Sequence, residues 1–430
     1  MIRQTGLTVF ILLLLLLAVP PVQAQSTSPV GGRDPGPVAL TQEVGHGIAV
    51  LRSGVEKDFP VQARFTVEAE SDTDIVDVRL RYRVDRMKHV EVVSEGWTEF
   101  EPANVIEAHW IWDMRLASLP PGAEVTYWWM IEDAAGNTLE TSPETMRFDD
   151  DRYEWRSLTI SGFLEGCGEA QGGEVILYWY EGSESFAREL LDVCEAGLAR
   201  LTEDIGTCPN RPIKIYIYAS SQDLRGAMVF PQEWTGGVAY TEFSTIAIGI
   251  PPGRSDWGKR ALVHELTHLV VHQVTYSPYG QLPTWLDEGL ATYNEGDLLP
   301  ELRSRLEWAA HEGRLISVRS LASPFSAQPE QAYLSYAQSY SLVEYLLVNY
   351  GQDSMTELLT LLTEGNTYDD ALRAVYGFDM DGLDAGWQQT LADVVPPEPP
   401  RDWFGPAMAG LAAVLVGLIA IAVLLGKRRK

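Results

Sequence analysis

The segment Lys259-Arg260-Ala261-Leu262-Val263-His264-Glu265-Leu266-Thr267-His268-Leu269-Val270-Val271-His272 decides how the chain is read. Apolar residues surround its central His264-Glu265-Leu266-Thr267-His268, so it is expected to form a largely interior helix. Residues four apart in a helix lie one turn apart on the same face. His264 and His268 can therefore close on one ion, while Glu265, one position round, reaches that ion's outward side. Two buried imidazoles and a carboxylate are costly without a shared partner, and imidazole nitrogen is a preferred zinc donor. A catalytic zinc keeps three protein ligands and an open position for water. A carboxylate at its edge can take that water's proton and pass it to a leaving amine. Glu265 is the candidate for that task.

The third ligand must come from elsewhere. His272 extends the same row but sits about 12 Å along the axis from His264, too far to share an ion with it. Val271 and Val274 stand where a metzincin pattern needs Gly and His. Downstream runs Leu282-Pro283-Thr284-Trp285-Leu286-Asp287-Glu288-Gly289-Leu290-Ala291-Thr292. Pro283 with Thr284 starts a helix, and Glu288 falls on its second turn. Asp287 and Glu288 would also serve simply to complement the helix dipole.

His264-Glu265-Leu266-Thr267-His268 and Trp285-Leu286-Asp287-Glu288-Gly289-Leu290-Ala291 together resemble the gluzincins of the peptidase MA clan, especially their aminopeptidase-like branch. The resemblance covers about residues 214–387. It implies that His264, His268 and Glu288 hold one Zn2+ per chain, with Glu265 as general base. In that branch a tyrosine opening a Y-x-x-G/S segment stabilises the oxyanion. The stretch Tyr336-Ala337-Gln338-Ser339-Tyr340-Ser341-Leu342 matches it, so the role passes to Tyr336. Tyr333, Tyr336 and Tyr340 also form a helical stripe suited to a core. Thr292, one turn after Glu288, is placed to steady a ligand. The branch further carries a G-x-M-E-N segment whose Glu grips a substrate's free amino terminus. The nearest counterpart, Gly237-Val238-Ala239-Tyr240-Thr241, has no acid at that place. Internal cleavage of a peptide or protein substrate is the expectation, with residues 236–240 offering a strand edge for pairing.

The segments around this core give the fold class. Across residues 151–395, residues 184–201 have helical spacing, 213–218 alternate as a strand, and 238–240 with 245–250 form a hairpin. Helices are expected at 260–274, 284–294, 298–312, 332–350, 354–362 and 369–376. This is α+β: a small sheet followed by a helical half, a zincin-like domain. Before it, residues 38–150 read as short strands at 59–67, 76–84, 90–93, 106–114 and 125–131. They make a β-sandwich that resembles a fibronectin type III or immunoglobulin-like module, a spacer or a docking platform.

The ends set the compartment. Residues 1–24 read as an export signal, 25–37 as a linker rich in Ser, Pro and Gly, and 396–402 as a stiff Pro-rich hinge. Residues 403–426 are apolar throughout and long enough to span a bilayer as one C-terminal transmembrane helix, and 427–430 are all basic. The expectation is a single-pass cell-membrane protein with its body outside and its tail in the cytoplasm. Of 430 residues, 60 are acidic and 32 basic, a net charge of -28. Such a surface repels phosphate backbones, so nucleic acid is not an expected partner. Three cysteines exclude a disulfide scaffold. If one disulfide forms it joins Cys167 and Cys208, which lie in loops. A membrane-anchored zinc metallopeptidase is the reading these features favour. The other reading is a non-catalytic surface adhesion or sensing protein built on an inert zincin scaffold.

Overall fold

The computed structural model describes residues 43–391 except 46, 163, 165, 166, 168–172, 207, 232–235 and 254. The expected signal, linker, hinge, span and basic tail lie outside the described residues. Among the described residues no helix is long and apolar enough to cross a membrane.

The N-terminal part is an eight-stranded sheet: β1 (Glu43–Gly45), β2 (Ile48–Asp58), β3 (Gln62–Val84), β4 (Ser94–Trp97), β5 (Ala103–Asp113), β6 (Ala123–Asp133), β7 (Thr138–Glu140) and β8 (Glu144–Phe148). The two strands expected at 59–67 and 76–84 are one strand, β3, whose halves have different neighbours. Phe65 pairs with Val55 of β2 and Trp110 of β5, whereas Leu80 pairs with Gly96 of β4 and Trp129 of β6. A straight strand would set Phe65 and Tyr82 about 56 Å apart. Yet Trp110, the partner of Phe65, stacks on Tyr82 at 5.3 Å, and Phe65 meets Tyr127 of β6 at 4.9 Å. The strand therefore folds over at the irregularity between Glu70 and Ile75. Its halves face each other across one core of Ala63, Phe65, Val67, Leu80, Ile131 and their neighbours. The expected sandwich is thus one continuous sheet, folded over on itself through β3.

The strand expected at 90–93 is displaced to β4. Val90, Val92 and Val93 are exposed, and the pairing begins only at Ser94. The reason is Gly96, on which any Cβ would lie 2.6 Å from the Trp110 ring. Only that register lets β4 close over the indole, and β-branched composition in the preceding run does not outweigh it.

The second part begins with β9 (Arg156–Ser161), β10 (Glu174–Trp179), α1 (Glu184–Ile205), β11 (Ile213–Tyr218), α2 (Ser221–Gly226), β12 (Gly237–Tyr240) and β13 (Thr245–Gly249). The sheet order is β12-β13-β11-β10-β9, with β10, β11 and β13 parallel and both edge strands antiparallel. A short 3-10 turn, Thr241–Phe243, closes the expected hairpin between β12 and β13. Helices follow: α3 (Ser255–Val274), α4 (Thr284–Asn294), α5 (Pro300–His311), α6 (Val318–Leu321), α7 (Pro329–Thr363), α8 (Tyr368–Tyr376) and α9 (Met380–Leu391). The helices expected at 332–350 and 354–362 meet within α7, where Gly351 adopts a non-helical φ of 81°.

Alternation along β11 places the layers. Ile213, Ile215 and Ile217 enter the helical core, while Tyr216 and Tyr218 point to the opposite face. That face packs on the N-terminal sheet. Arg147 donates to the Tyr216 hydroxyl at 2.7 Å, Tyr218 donates to Asp150 Oδ2 at 3.1 Å, and Gly122 lies so close to the Tyr216 ring that no Cβ would fit. Leu262, Leu266 and Leu269 seat α3 in the core shared with this sheet. The disulfide between Cys167 and Cys208 is formed, and Cys194 is free and buried on α1.

Candidate metal centre

Two packed helices bring the polar residues together inside an apolar layer. Leu262, Leu266, Leu269 and Val270 of α3 and Trp285, Leu286 and Leu290 of α4 are buried in one core, which holds the remaining faces of both helices against each other. Asn294 of α4 donates to Thr267 Oγ1 of α3 at 2.7 Å, pinning their relative register. His264, Glu265, His268 and Glu288 are all buried at this crossing.

Three donor atoms converge. His264 Nε2 and His268 Nε2 are 3.1 Å apart, and Glu288 Oε2 lies 3.4 Å from the first and 3.5 Å from the second. Ligands about 2.0–2.1 Å from a tetrahedral zinc stand about 3.3 Å from one another, so the triangle has the size a zinc ion requires. It also needs one. Two like ring nitrogens face each other at 3.1 Å, and Glu288 Oε2 has no directed hydrogen bond there. Among the described residues two groups of donors are close enough to hold a cation, His264, His268 and Glu288, all buried, and the more open His268, His272 and Asp287; the first is the set the sequence motifs imply. His272 lies off this triangle.

Each imidazole is held from behind. His264 Nδ1 is 2.8 Å from Glu295 Oε1, and His268 Nδ1 is 2.9 Å from Asp287 Oδ1. A proton on each Nδ1 leaves the Nε2 lone pairs turned inward, as ligation demands. Arg260 donates to Glu295 Oε2 at 3.2 Å, and His272 Nε2 is 3.0 Å from Asp287 Oδ2. Glu295 is absent from the sequence reading. Its signal was the spacing: seven residues after Glu288, two turns on, it returns to the same face of α4. Thr292, read as a possible support for a ligand, instead bonds back to the main-chain oxygen of Glu288 at 2.7 Å. It steadies the helix and not the carboxylate.

Electrostatics follow the geometry. Burial opposes charge on His264, but the carboxylates of Glu288 and Glu295 outweigh it and lift the ring to about 9. Burial likewise works against Glu288, and the two imidazoles override it, holding the carboxyl down at about 2. Glu265 goes the other way. Burial raises its carboxyl above the ordinary range, outweighing the pull of His264 and His268. Neither oxygen of Glu265 has a hydrogen bond of ordinary geometry; the main chain of Ala239 on β12 comes near and, like the imidazoles, works against the burial. Gly237 of β12 is its neighbour, since a Cβ there would stand 3.4 Å from Glu265 Oε1.

Tyr336 is brought to the same place. It is buried on α7, with Phe325 edge-on to its ring at 5.1 Å. Burial, then the charge and hydrogen bonding of Glu288, hold its phenol well above its ordinary value. The approach of α7 depends on Gly289, where a Cβ would lie 2.5 Å from the Ser339 carbonyl oxygen. The glycine after Glu288 is therefore what lets α7 lie against α4.

Residues 193–393 match the family model described as Peptidase MA superfamily. A search of curated proteins finds no match. Among solved structures, the M1 zinc metallopeptidase from Deinococcus radiodurans is 13% identical, with 79% of this chain and 93% of that chain covered and a TM-score of 0.33. A substituted form of it bound to a Tyr-Ser-Ala substrate is 14% identical over 79% and 93%, with a TM-score of 0.35. Wild-type OgpA from Akkermansia muciniphila is 13% identical over 25% of this chain, which spans 30% of OgpA, with a TM-score of 0.19. The family match and the donor triangle support a zinc peptidase, and the site's own geometry carries the residue-level reading.

Proposed function

We propose that the chain is a zinc-dependent metallopeptidase that hydrolyses internal peptide bonds. The observation that carries this reading is the donor triangle of His264, His268 and Glu288 beside Glu265, neither oxygen of which has an ordinary hydrogen bond. When bound, zinc would supply Lewis acidity to a scissile carbonyl and to the attacking water. Glu265 takes the water's proton at a carboxylate oxygen as the water oxygen bonds to the carbonyl carbon. It then delivers that proton to the amine as the C–N bond breaks. Tyr336 stays protonated and donates to the oxygen on which negative charge develops, a hydrogen bond worth most in the transition state. The outer edge of β12 pairs with no strand among the described residues, and Gly237 leaves room beside Glu265, which supports pairing of an extended substrate there.

The apolar run at 403–426 and the basic 427–430 support a single-pass anchor, and residues 1–24 an export signal. On that reading the peptidase faces outside the cytoplasm and meets peptides or proteins there. The folded N-terminal sheet then serves as an immunoglobulin-like spacer or docking module. The absence of an acid in Gly237-Val238-Ala239-Tyr240-Thr241 leaves a competing reading, an adhesion or sensing protein with an inert centre.

One experiment separates them. The purified protein is expected to carry about one zinc per chain by elemental analysis and to cleave members of a diverse peptide library. Glu265→Gln is expected to keep the metal and lose hydrolysis. Undiminished cleavage in that variant removes Glu265 from the mechanism, and no turnover in the parent favours the inert scaffold.

A further inference from the structure

We propose that His272 is a positioning residue for the metal: it clamps Asp287, and through Asp287 it fixes the His268 imidazole with Nε2 turned to the ion. This rests on the zinc reading above and extends it to a residue outside the donor triangle. The Asp287 carboxylate is shared between two rings on successive turns of α3. Oδ1 is 2.9 Å from His268 Nδ1, and Oδ2 is 3.0 Å from His272 Nε2. The rings stand at 87° to each other, with centroids 6.1 Å apart. Each carboxylate oxygen therefore has its own donor, and the carboxylate plane cannot turn without losing one of them. Without the His272 donor, Oδ2 of a side chain that is 21% exposed turns to water. The carboxylate is then free to swing, and the Nδ1–H of His268 loses its fixed acceptor.

The other ligand shows the same construction with a different last member. Behind His264 stands Glu295, and behind Glu295 stands Arg260 at 3.2 Å. Arg260, His264, His268 and His272 recur every four residues along α3, so one face of one helix supplies both ligands and both outer clamps. Both outer clamps reach water, the His272 side chain 36% exposed and that of Arg260 30%. Partners of this kind typically change metal affinity by about 10- to 100-fold when removed.

The test uses the full chain loaded with zinc, in three forms: parent, His272→Phe, which keeps a ring and loses the donor, and His272→Gln, whose amide N–H can reach the same oxygen. The first readout is the rate at which zinc passes to an excess of chromogenic chelator. The second is the visible absorption of the cobalt(II)-substituted protein, which reports how the His268 ring is held. His272→Phe is expected to release zinc about tenfold faster or more with an altered cobalt band, and His272→Gln to stay within about threefold of the parent. The three metal-free forms are expected to melt within about 2 °C of one another. Equal release from all three overturns the proposal. So does a glutamine variant as leaky as the phenylalanine one, which assigns the effect to ring packing. A parent chain that retains no zinc overturns the metal-centre reading, and this proposal with it.

Discussion

Replacing Gly289 by alanine probes how α4 and α7 hold the centre. The added methyl would lie 2.5 Å from the Ser339 carbonyl oxygen, 3.0 Å from its carbon and 2.7 Å from Val343 Cγ2. Val343 can change rotamer, but the Ser339 main chain sits inside α7 and moves only with that helix. Restoring an ordinary contact of about 3.4 Å requires roughly 0.9 Å of separation. Two effects oppose each other. Alanine favours the helix over glycine by about 1 kcal/mol, and overpacking costs about 1–3 kcal/mol. Because the obstacle is backbone, the upper end applies and the clash wins by about 2 kcal/mol. The displacement also has a direction. Glu288 precedes Gly289, and Tyr336 lies one turn before Ser339, so the shift draws the phenol from the carboxylate while leaving the α3 histidines in place. A misplacement of about 1 Å is worth about a hundredfold in rate. Equilibrium urea unfolding, elemental zinc and steady-state hydrolysis read the three consequences. The expected result is a loss of about 2 kcal/mol, zinc retained at about one per chain, and kcat down by about two orders of magnitude. An alanine variant as stable and as active as its parent refutes the packing argument.

Other substitutions reach different links. Glu295→Gln weakens the acceptor behind His264 and leaves Arg260 without its carboxylate, so zinc affinity is expected to fall by about 10- to 100-fold in a chelator competition. Exchanging Cys167 and Cys208 for serine opens a loop of sequence separation 41 and is expected to lower stability by about 4 kcal/mol in urea unfolding. Asp204 gives a pH test. Burial, with Glu203 adding and Arg200 opposing, pushes its carboxyl up to about 6, and its Oδ2 has no partner. The folded chain then binds this proton more tightly than the unfolded one, so the group's contribution is full at low pH and lost as pH rises through 6. Asp204→Asn is expected to stabilise by about 1 kcal/mol at pH 8, after discounting for partial exposure, and to gain progressively less toward pH 4. A gain that is the same at both pH values refutes the assignment.

The centre was legible where local geometry decides it and illegible where the chain must return from afar. His264 and His268 follow from four-residue spacing within an apolar helix, and Glu288 and Tyr336 come only from the resemblance that the separated motifs carry. For Asp287 the sequence offers only the role, shared with Glu288, of complementing the dipole of α4. In the structure it is turned across to α3, a tertiary contact that no dipole argument contains. Glu295 was missed for the same reason, although its seven-residue offset from Glu288 marks the same helix face. The N-terminal strands show the limit most clearly. Period-two alternation is correct through both halves of β3, yet it cannot report that the strand folds back so that Trp110 stacks on Tyr82. Nor does valine content at 90–93 reveal that a glycine beneath an indole fixes the register one step later.

The interior charges argue that this arrangement exists for function. Arg260, His264, His268 and His272 on one helix meet Asp287, Glu288 and Glu295 on the other, and most of these side chains are largely withdrawn from water. Desolvating paired charges rarely adds stability, and apolar residues of similar volume would hold two helices as well or better. The surrounding Leu262, Leu266, Leu269, Trp285 and Leu286 already supply that packing. The polar row is therefore surplus to the fold. Its two outermost members pair with acids, its two inner members turn Nε2 toward a third acid, and Glu265, among the described residues the buried carboxylate with neither oxygen in an ordinary hydrogen bond, sits beside them. A core selected for rigidity alone would have paired or removed that group. A carboxylate held in this way beside three converging donors is a group placed for chemistry and not for packing.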